Sequence, residues 1–260
     1  MPFNKTSLRR RPDLEDQVHR LAGEGWPAFL LNGDITHWEK LFGEFADYQV
    51  LFHDPAGGVV SVGHTVPFFW DGTPDDLPDR MADLMDRAVE DHTRGREPNA
   101  ISALAAIVSP NHRRKGLSAE VLRAMGSLAR ENDLGSFVAP VRPTLKAAYP
   151  LTPFRRYVRW ERDDGSAFDP WLRVHRRLGA KPLKLMPEAL TVFGTAAEWE
   201  EWTGIAFPES GRYVVPGALQ PVVIDHERDL GRYDDPNIWM RHPVPWRAGA
   251  SNLQVSPWLR

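Results

Sequence analysis

The chain has 260 residues, of which 42% are hydrophobic and 26% are charged, a composition typical of a globular protein. Its formal net charge is −3 and it contains no cysteine, which excludes disulfides, a thiol nucleophile and cysteine-ligated zinc or iron–sulfur sites. The longest stretch without Asp, Glu, Lys or Arg, residues 55–70, contains a histidine and a Gly-Gly pair and is therefore not a membrane span. With no apolar signal at the start, we expect a cytoplasmic protein. The excess of arginine over lysine suggests a bacterial genome rich in G and C.

Hydrophobic periodicity predicts alternating strands and helices. After a loose basic lead-in at 1–12, the predicted elements of the first half are a helix at 13–24, a short strand at 28–31, a hairpin at 48–53 and 59–70, a helix at 75–94 and a strand at 100–108. The second half is predicted to contain a helix at 118–132, a strand at 136–141, an irregular insert at 143–168, a helix at 169–179, a strand at 183–193, a short helix opened by a capping box at 195–198 and a strand-like run at 213–224.

This order of elements predicts a mixed α/β sheet in one domain. We expect a core at about 25–225 and a proline-rich C-terminal extension at 226–260 that wraps over the surface. No internal repeat or low-complexity tract interrupts the pattern.

The turn between the strand at 100–108 and the helix at 118–132 carries the clearest chemical signal. Residues 109–118 read SPNHRRKGLS, with three consecutive cations and one glycine. The first amides of a helix have no partner within the helix, so together with the helix dipole and these cations they form a site for a phosphate or pyrophosphate. Gly116 allows the backbone to approach such a ligand closely. A solvated basic turn capped by Ser118 is the alternative.

The pattern R-x-x-G-x-S formed by Arg113, Gly116 and Ser118 resembles the acetyl-CoA-binding motif Q/R-x-x-G-x-G/A of the GCN5-related N-acetyltransferases (GNAT), with serine in the last position. The order of elements around it, and a helix end Leu178-Gly179-Ala180 similar to the family's Leu-Gly-Phe, extend the resemblance over roughly residues 25–194.

The resemblance implies an acyl-CoA N-acyltransferase fold of the GNAT type, with a mixed central sheet splayed between the strands at 101–108 and 136–141. It also implies acetyl-CoA or another acyl-CoA as co-substrate, without a metal. The pantetheine arm is expected in the splay and the pyrophosphate on the turn, with cofactor contacts from Ile107, Val108, Arg113, Arg114, Lys115, Gly116, Leu117 and Ser118.

An amine must be neutral to attack an acyl group, and a lysine-like amine is almost wholly protonated at pH 7, so a general base helps. Many relatives carry a carboxylate on the motif strand, but residues 99–111 contain no ionisable side chain. His64, on a strand face otherwise made of valine and phenylalanine, is our candidate base, and a hydrogen-bonded core histidine is the alternative. Asp71 and His112 are weaker candidates.

The family supplies a tyrosine four residues before the helix-end glycine, which protonates the departing CoA thiolate. His175 stands at that position here. It would donate a proton if it were cationic near neutral pH, or else it packs against the sheet. Tyr149 or Tyr157 would otherwise supply the hydroxyl.

The insert at 143–168 falls where a loop of the acceptor site would lie. Its arginines and aromatic residues predict contacts with an anionic or aromatic acceptor, made by Arg155, Tyr157 and Trp160. A solvated, salt-bridged loop fits the same residues equally well. The near-neutral net charge disfavours a nucleic-acid partner.

These features favour an acyl-CoA-dependent transferase that moves a short acyl group, above all acetyl, to an amine of a small molecule, as in specialised metabolism. Three alternatives stay open: a GNAT-fold malonyl-CoA decarboxylase or S-acyltransferase acting on a carrier protein, an aminoacyl-tRNA-dependent amide-forming transferase, and a CoA-binding regulator without catalysis. We expect no membrane partner, and a homodimer is left open.

Overall fold

The computed structural model describes residues 3–113 and 115–244. The strands in this part of the chain are β1 (Asn4–Ser7), β2 (Val50–His53), β3 (Val59–Phe68), β4 (Ala100–Val108), β5 (Ser136–Val141), β6 (Lys181–Gly194), β7 (Gly211–Tyr213), β8 (Val222–Asp225) and β9 (Leu230–His242). The α-helices are α1 (Glu15–Gly25), α2 (Met81–Thr93), α3 (Leu117–Glu131), α4 (Phe154–Tyr157), α5 (Pro170–Arg177) and α6 (Ala196–Thr203). None of these helices has the length and apolarity that a bilayer crossing demands.

All nine strands belong to one sheet, in the order β1-β2-β3-β4-β5-β9-β8-β7, with β6 also paired to β9. Only β4 and β5 run parallel, and the other pairs are antiparallel. The mixed α/β sheet of the expected acyltransferase type is therefore confirmed.

Helices cover both faces of the sheet. On one side, the α3 face, buried side chains of α3 and α5 pack with Ile101 and Phe137. On the other side, the α2 face, α2 packs with Ala100, Val138 and Trp239, and α1 packs beside it on Val62 and Ile107 of β3 and β4. Since neighbouring residues of a strand point to opposite faces, Ala100 and Ile101 mark the two sides.

The parallel pair β4–β5 is short. Its register contains three positions and ends at Ser102 opposite Val138. Beyond that point β4 continues to Val108 alongside β3 alone, and β5 continues to Val141 alongside β9 alone. The space between residues 103–108 and 139–141, which we call the gap, is the splay that the resemblance to the family implies.

A bulge in β4 lies at the start of the gap. His64 of β3 pairs with Ala105 and Thr65 pairs with Ala103, so Leu104 has no opposite residue. A bulged residue disrupts the alternation of side chains and increases the local twist. The bulge therefore helps to turn the second half of β4 away from β5.

Three segments of the first half differ from the sequence prediction. The lead-in at 1–12 contains β1, which pairs with β2. Residues 28–31 form part of a 3-10 helix rather than a strand, because Pro27 opens a turn in which its carbonyl accepts a hydrogen bond from Leu30 N. The helix predicted at 75–94 begins only at Met81, after two prolines.

The prediction for the C-terminal extension is wrong within the described residues. Residues 230–242 do not wrap over the surface but form β9, which pairs with β8 at its start and with β5 at its end, while β6 pairs along its other edge. The partner of β6 is thus β9, and residues 195–229 with α6, β7 and β8 are inserted between these two strands. Residues 245–260 lie outside the described part of the chain.

Gly231 in β9 gives a direct test of this strand assignment. A Cβ at Gly231 would clash with the indole ring of Trp199. Replacing Gly231 by alanine must displace the buried tryptophan, so we expect a loss of about 1–3 kcal/mol of folding free energy, measured by urea unfolding. Gly23→Ala in α1, where a Cβ meets nothing within 4 Å, is the matched control and should leave stability equal or slightly higher. Equal stability of both variants would contradict the packing of α6 on β9.

Candidate active site

The motif turn, residues 109–118, connects the end of β4 to α3. Gly116 is the N-cap residue of α3 and has φ 79° and ψ −3°, in the left-handed region that glycine adopts at least cost. Ser118 lies inside the first turn of the helix and does not cap it, contrary to the alternative raised from the sequence. No side-chain cap is present on α3 within the described residues. The helix start therefore offers its amides to a ligand rather than to a side chain.

The cations of the motif turn lie at the surface. Arg113 and Lys115 are exposed, and each reaches back to the turn, with Arg113 Nε 3.4 Å from Val108 O and Lys115 Nζ 3.1 Å from Asn111 O. Arg114 lies outside the described residues. Leu117 is buried and anchors the helix start in the core, while Ile107 and Val108 end β4 beside the turn. The structure thus brings the predicted phosphate site to the end of β4 that borders the gap.

His64 lies on the α2 side of the sheet, one strand away from the gap. Its Nδ1 is 3.0 Å from Oε1 of Gln49, whose Nε2 donates to the carbonyls of Phe45 and Thr65. The Gln49 oxygen therefore accepts, so Nδ1 of His64 carries the proton and Nε2 keeps its lone pair. Burial lowers the pKa of His64 to about 4. This histidine is neutral at pH 7 and has an unprotonated Nε2, as a base requires.

The two weaker base candidates lie elsewhere. Asp71 follows β3 at the end where Phe68 pairs with Ala100, away from the gap, and hydrogen bonds from Thr73 lower the pKa of its carboxyl. His112 belongs to the motif turn, where its ring lies 5.6 Å from that of Phe3. Its Nδ1 is buried without a partner among the described residues.

His175 lies at the closed end of the β4–β5 pair. Its Nδ1 is 2.9 Å from Nε2 of His242. His242 is the strand partner of Phe137 in β5, and Phe137 in turn pairs with Ile101 of β4, so this position lies before the two strands separate. Burial, reinforced by His242, holds the pKa of His175 well below its ordinary value. The cationic form on which the acid role depends is therefore disfavoured at neutral pH. Catalysis by His175 stays a prediction that neither its position nor its charge favours.

The insert packs on the α3 face rather than on the α2 face. Tyr157 is buried there, and its hydroxyl donates to Asp169 Oδ2 at 2.9 Å, while the other Asp169 oxygen caps α5. Burial, with Asp169 nearby, raises the pKa of Tyr157. Lys146 is also buried and donates to the carbonyls of Tyr149 and Leu219. These contacts hold the insert against the sheet.

Arg155 and Trp160 lie together at the surface of the insert. With Pro153, Arg156 and Arg159 they line an open cavity of about 410 Å³. Their predicted role in acceptor binding is consistent with this exposure but is not tested by it. Tyr157, in contrast, turns into the core, where its ring centroid lies 5.2 Å from that of Trp160.

The structure also shows a buried polar group that the sequence did not indicate. Arg142, just after β5, places Nε 3.0 and 2.9 Å from the two carboxylate oxygens of Asp235 in β9. Tyr233 donates its hydroxyl to Asp235 and accepts from Leu219 N. The partners are 93 residues apart in the chain, so no local pattern could have linked them. Across the described residues, no set of three or more His, Asp or Glu side chains is arranged to hold a metal ion.

No family model matches the chain. Among the solved structures that resemble the chain, the loading GNATL domain of CurA from Lyngbya majuscula has a TM-score of 0.63 and 14% identity, covering 94% of this chain and 98% of that one. The GphF GNAT-like decarboxylase in complex with isobutyryl-CoA has a TM-score of 0.59 and 15% identity, covering 94% of this chain and all of that one. At such identities the likeness shows the fold alone.

A sequence relative is considerably nearer. The chain is 31% identical over 276 residues to the arginine N-acetyltransferase avaD of Aspergillus versicolor, and the match covers 93% of this chain and 94% of that protein. The relative is fungal, so the expected bacterial origin stays a prediction. Given this identity over nearly the full length of both proteins, the chain belongs to the GCN5-related N-acetyltransferases and is an acyltransferase that acts on an amine.

Proposed function

We propose that this enzyme transfers an acetyl group from acetyl-CoA to a nitrogen of arginine or of a small molecule that contains it. The observation that carries the proposal is the gap between β4 and β5, which begins beyond Ser102 and Val138 and ends beside the uncapped start of α3. The acceptor class comes from the arginine N-acetyltransferase to which the chain is similar.

The gap and the motif turn would bind the two parts of acetyl-CoA. The pyrophosphate would accept hydrogen bonds from the first amides of α3, at Gly116, Leu117 and Ser118, with Arg113, Arg114 and Lys115 around it. The pantetheine arm would lie along the free edge of β4 near Ile107 and Val108. The amides of the arm would then hydrogen-bond to backbone groups that have no strand partner.

The arginine-lined cavity of the insert suits CoA better than a cationic acceptor. Arg155, Arg156 and Arg159 would repel the guanidinium of arginine, whereas they would attract phosphate groups. The insert belongs to the same hydrophobic cluster as α3 and the end of β4. We therefore assign Arg155 and Trp160 to the CoA side of the enzyme rather than to the acceptor pocket predicted from the sequence.

The free-energy cost of deprotonation favours the α-amino group of arginine over its guanidinium as the nucleophile. An α-amino group with a pKa of about 8 is about one-tenth neutral at pH 7, which costs ~1.4 kcal/mol. A guanidinium with a pKa of about 12.5 would cost ~7 kcal/mol to deprotonate at the same pH. With a pKa of about 4, His64 is a weak base, so it can accept the proton only from an amine that attacks in its neutral form and becomes acidic as the new bond forms. It cannot deprotonate a guanidinium.

In the proposed reaction the neutral amine attacks the thioester carbonyl, the carbon–sulfur bond breaks and CoA leaves as a thiolate. The proton of the amine passes to Nε2 of His64 through water, since His64 lies one strand away from the gap. Tyr149, half-buried in the cluster that includes Ala106 and Val108, would protonate the thiolate, and the imidazolium of His64 would return its proton to the tyrosinate through water, so that both groups end as they began.

A direct assay tests the donor and the acceptor together. Wild-type protein with acetyl-CoA and L-arginine should release CoA and yield Nα-acetylarginine, identified by mass spectrometry and NMR. Ornithine and agmatine, which lacks the carboxylate, serve as comparison acceptors. Incubation with malonyl-CoA and no acceptor tests the alternative chemistry. If acetyl-CoA accumulates in that reaction and no acetylated arginine forms in the first, the enzyme is a decarboxylase and the proposal is wrong.

Two glycines with the same backbone conformation test the motif turn. Gly116→Val strains a residue with φ 79° and should weaken CoA binding in calorimetry at least about tenfold, since a β-branched residue disfavours this region. Gly57→Val, at φ 89° in the β2–β3 turn, carries the same strain away from the site. In both glycines an added Cβ meets nothing within 4 Å, so the loss cannot arise from a clash. Equal CoA affinity of the two variants would remove the motif turn from the CoA site.

The pKa of His64 predicts the pH profile of kcat/KM for arginine. With its pKa lowered to about 4, His64 stays unprotonated above about pH 5, so only the acceptor amine ionises between pH 5 and 7. We expect log kcat/KM to rise with a slope of one over this range. A slope of two below pH 6.5 would mean that the base titrates as an ordinary histidine. His64→Gln should lower kcat without weakening CoA binding.

A further inference from the structure

One polar side chain near the gap has a buried oxygen that no described residue reaches with a hydrogen bond. Asn237 in β9 is 8% exposed, and its Oδ1 is buried without a hydrogen bond to any described residue. A buried amide oxygen that has lost water and gained no donor destabilises the folded state. Such a group needs a donor from outside the described residues, which a water, an ion or a ligand can supply.

The register places Asn237 at the end of β5 that borders the gap. Val141, the last residue of β5, pairs with Ile238, so Asn237 lies one residue further along β9, level with the end of β5. Neighbouring strands are about 5 Å apart. Asn237 is therefore about one strand spacing from the wall of the gap that β5 forms.

Asn237 lies on the face opposite to α3. Alternation along β9 puts it on the same side as Tyr233, Asp235 and Trp239, and Trp239 packs with the α2 cluster. Ile238 and Met240 point to the α3 face instead. A thioester that enters the gap from the start of α3 would thus meet an acceptor bound on the side where Asn237 lies.

The neighbouring ion pair does not use Asn237. Both carboxylate oxygens of Asp235 accept from Arg142 Nε, and one of them also accepts from the Tyr233 hydroxyl. Arg142 further donates to Gly217 O. This network is complete within itself, so the unpartnered oxygen of Asn237 is not explained by it.

We propose that Asn237 binds the acceptor, its Oδ1 accepting a hydrogen bond from an N–H group of the amine or guanidinium. The inference rests on the proposed function, because it assigns a residue to the acceptor side of the same gap. The Arg142–Asp235 pair, next to it on the same face, positions the end of β5 and the backbone of β9 around that oxygen.

Asn237→Leu separates binding from folding. Leucine has nearly the shape of asparagine but no oxygen, so the variant should have a Tm equal to or above that of the wild type. The KM for arginine should rise about 10- to 100-fold, as for the loss of a buried hydrogen bond to a charged group, while the KM for acetyl-CoA stays within about twofold. Asn237→Asp keeps an acceptor oxygen and should keep the KM for arginine within about threefold or lower it.

Thr191→Val is the matched control. It removes a hydrogen bond between β6 and β9, from Thr191 Oγ1 to Asp234 Oδ1, on the opposite face of β9. Its KM for arginine should equal that of the wild type. If Asn237→Leu also leaves this KM unchanged, or if both variants raise it alike, Asn237 does not bind the acceptor.

A second measurement tests the inference even if the Asn237→Leu variant does not fold. The side-chain amide signals of Asn237 in the wild-type enzyme, observed by 15N NMR with CoA present, should shift when arginine is added and stay unshifted with buffer alone. Unshifted signals at saturating arginine would overturn the inference. Wild-type acetylation of arginine is measured in parallel, so failure of the proposed function would show there first.

Discussion

The central constraint in this structure is that two parallel strands pair over only part of their length. β4 and β5 pair at three positions and then separate, although both strands continue. Backbone N–H and C=O groups of a sheet interior require partners, and an edge without them is satisfied by water or by a ligand. The outer edges of both strands stay fixed, since β3 pairs along β4 to Val108 and β9 pairs along β5 to Val141. The gap is therefore held open by the surrounding sheet.

The position of helix α3 places the motif turn next to the gap. A Cβ at Gly63 of β3 would lie 2.7 Å from Met125 and 2.9 Å from Val121, so the helix packs directly on the sheet at this glycine. Close packing at this point fixes where α3 begins, beside the end of β4. The two halves of acetyl-CoA, a charged pyrophosphate and an extended amide-containing arm, match these two neighbouring features. In the proposed reaction, the acceptor approaches from the opposite face, where the polar groups of β9 and His64 lie.

Much of this architecture follows from local sequence patterns. The hairpin, β4, α3, β5, α5 and the capping box at Thr195 all have strong periodic or capping signals, and the structure confirms each of them. β9 was missed because its centre reads Asp234-Asp235-Pro236-Asn237, which does not have the alternation of a buried strand. Asp235 is tolerated in the sheet because Arg142 and Tyr233 donate hydrogen bonds to its carboxylate. The sequence around Asp235 and Asn237 indicates neither this ion pair nor the lack of a partner for Asn237 Oδ1 among the described residues. The alternative in which Ser118 caps α3 is wrong for a similar reason, since the left-handed conformation that makes Gly116 the cap is set by the turn as a whole.

Hydrogen exchange of the backbone amides, with and without CoA, tests the central claim most directly. If the thioester donor occupies the gap and its pyrophosphate lies on the motif turn, CoA should slow exchange in residues 103–108 and 116–118 and leave β7 and β8 unchanged. Protection confined to other segments, or no protection at saturating CoA, would contradict the account.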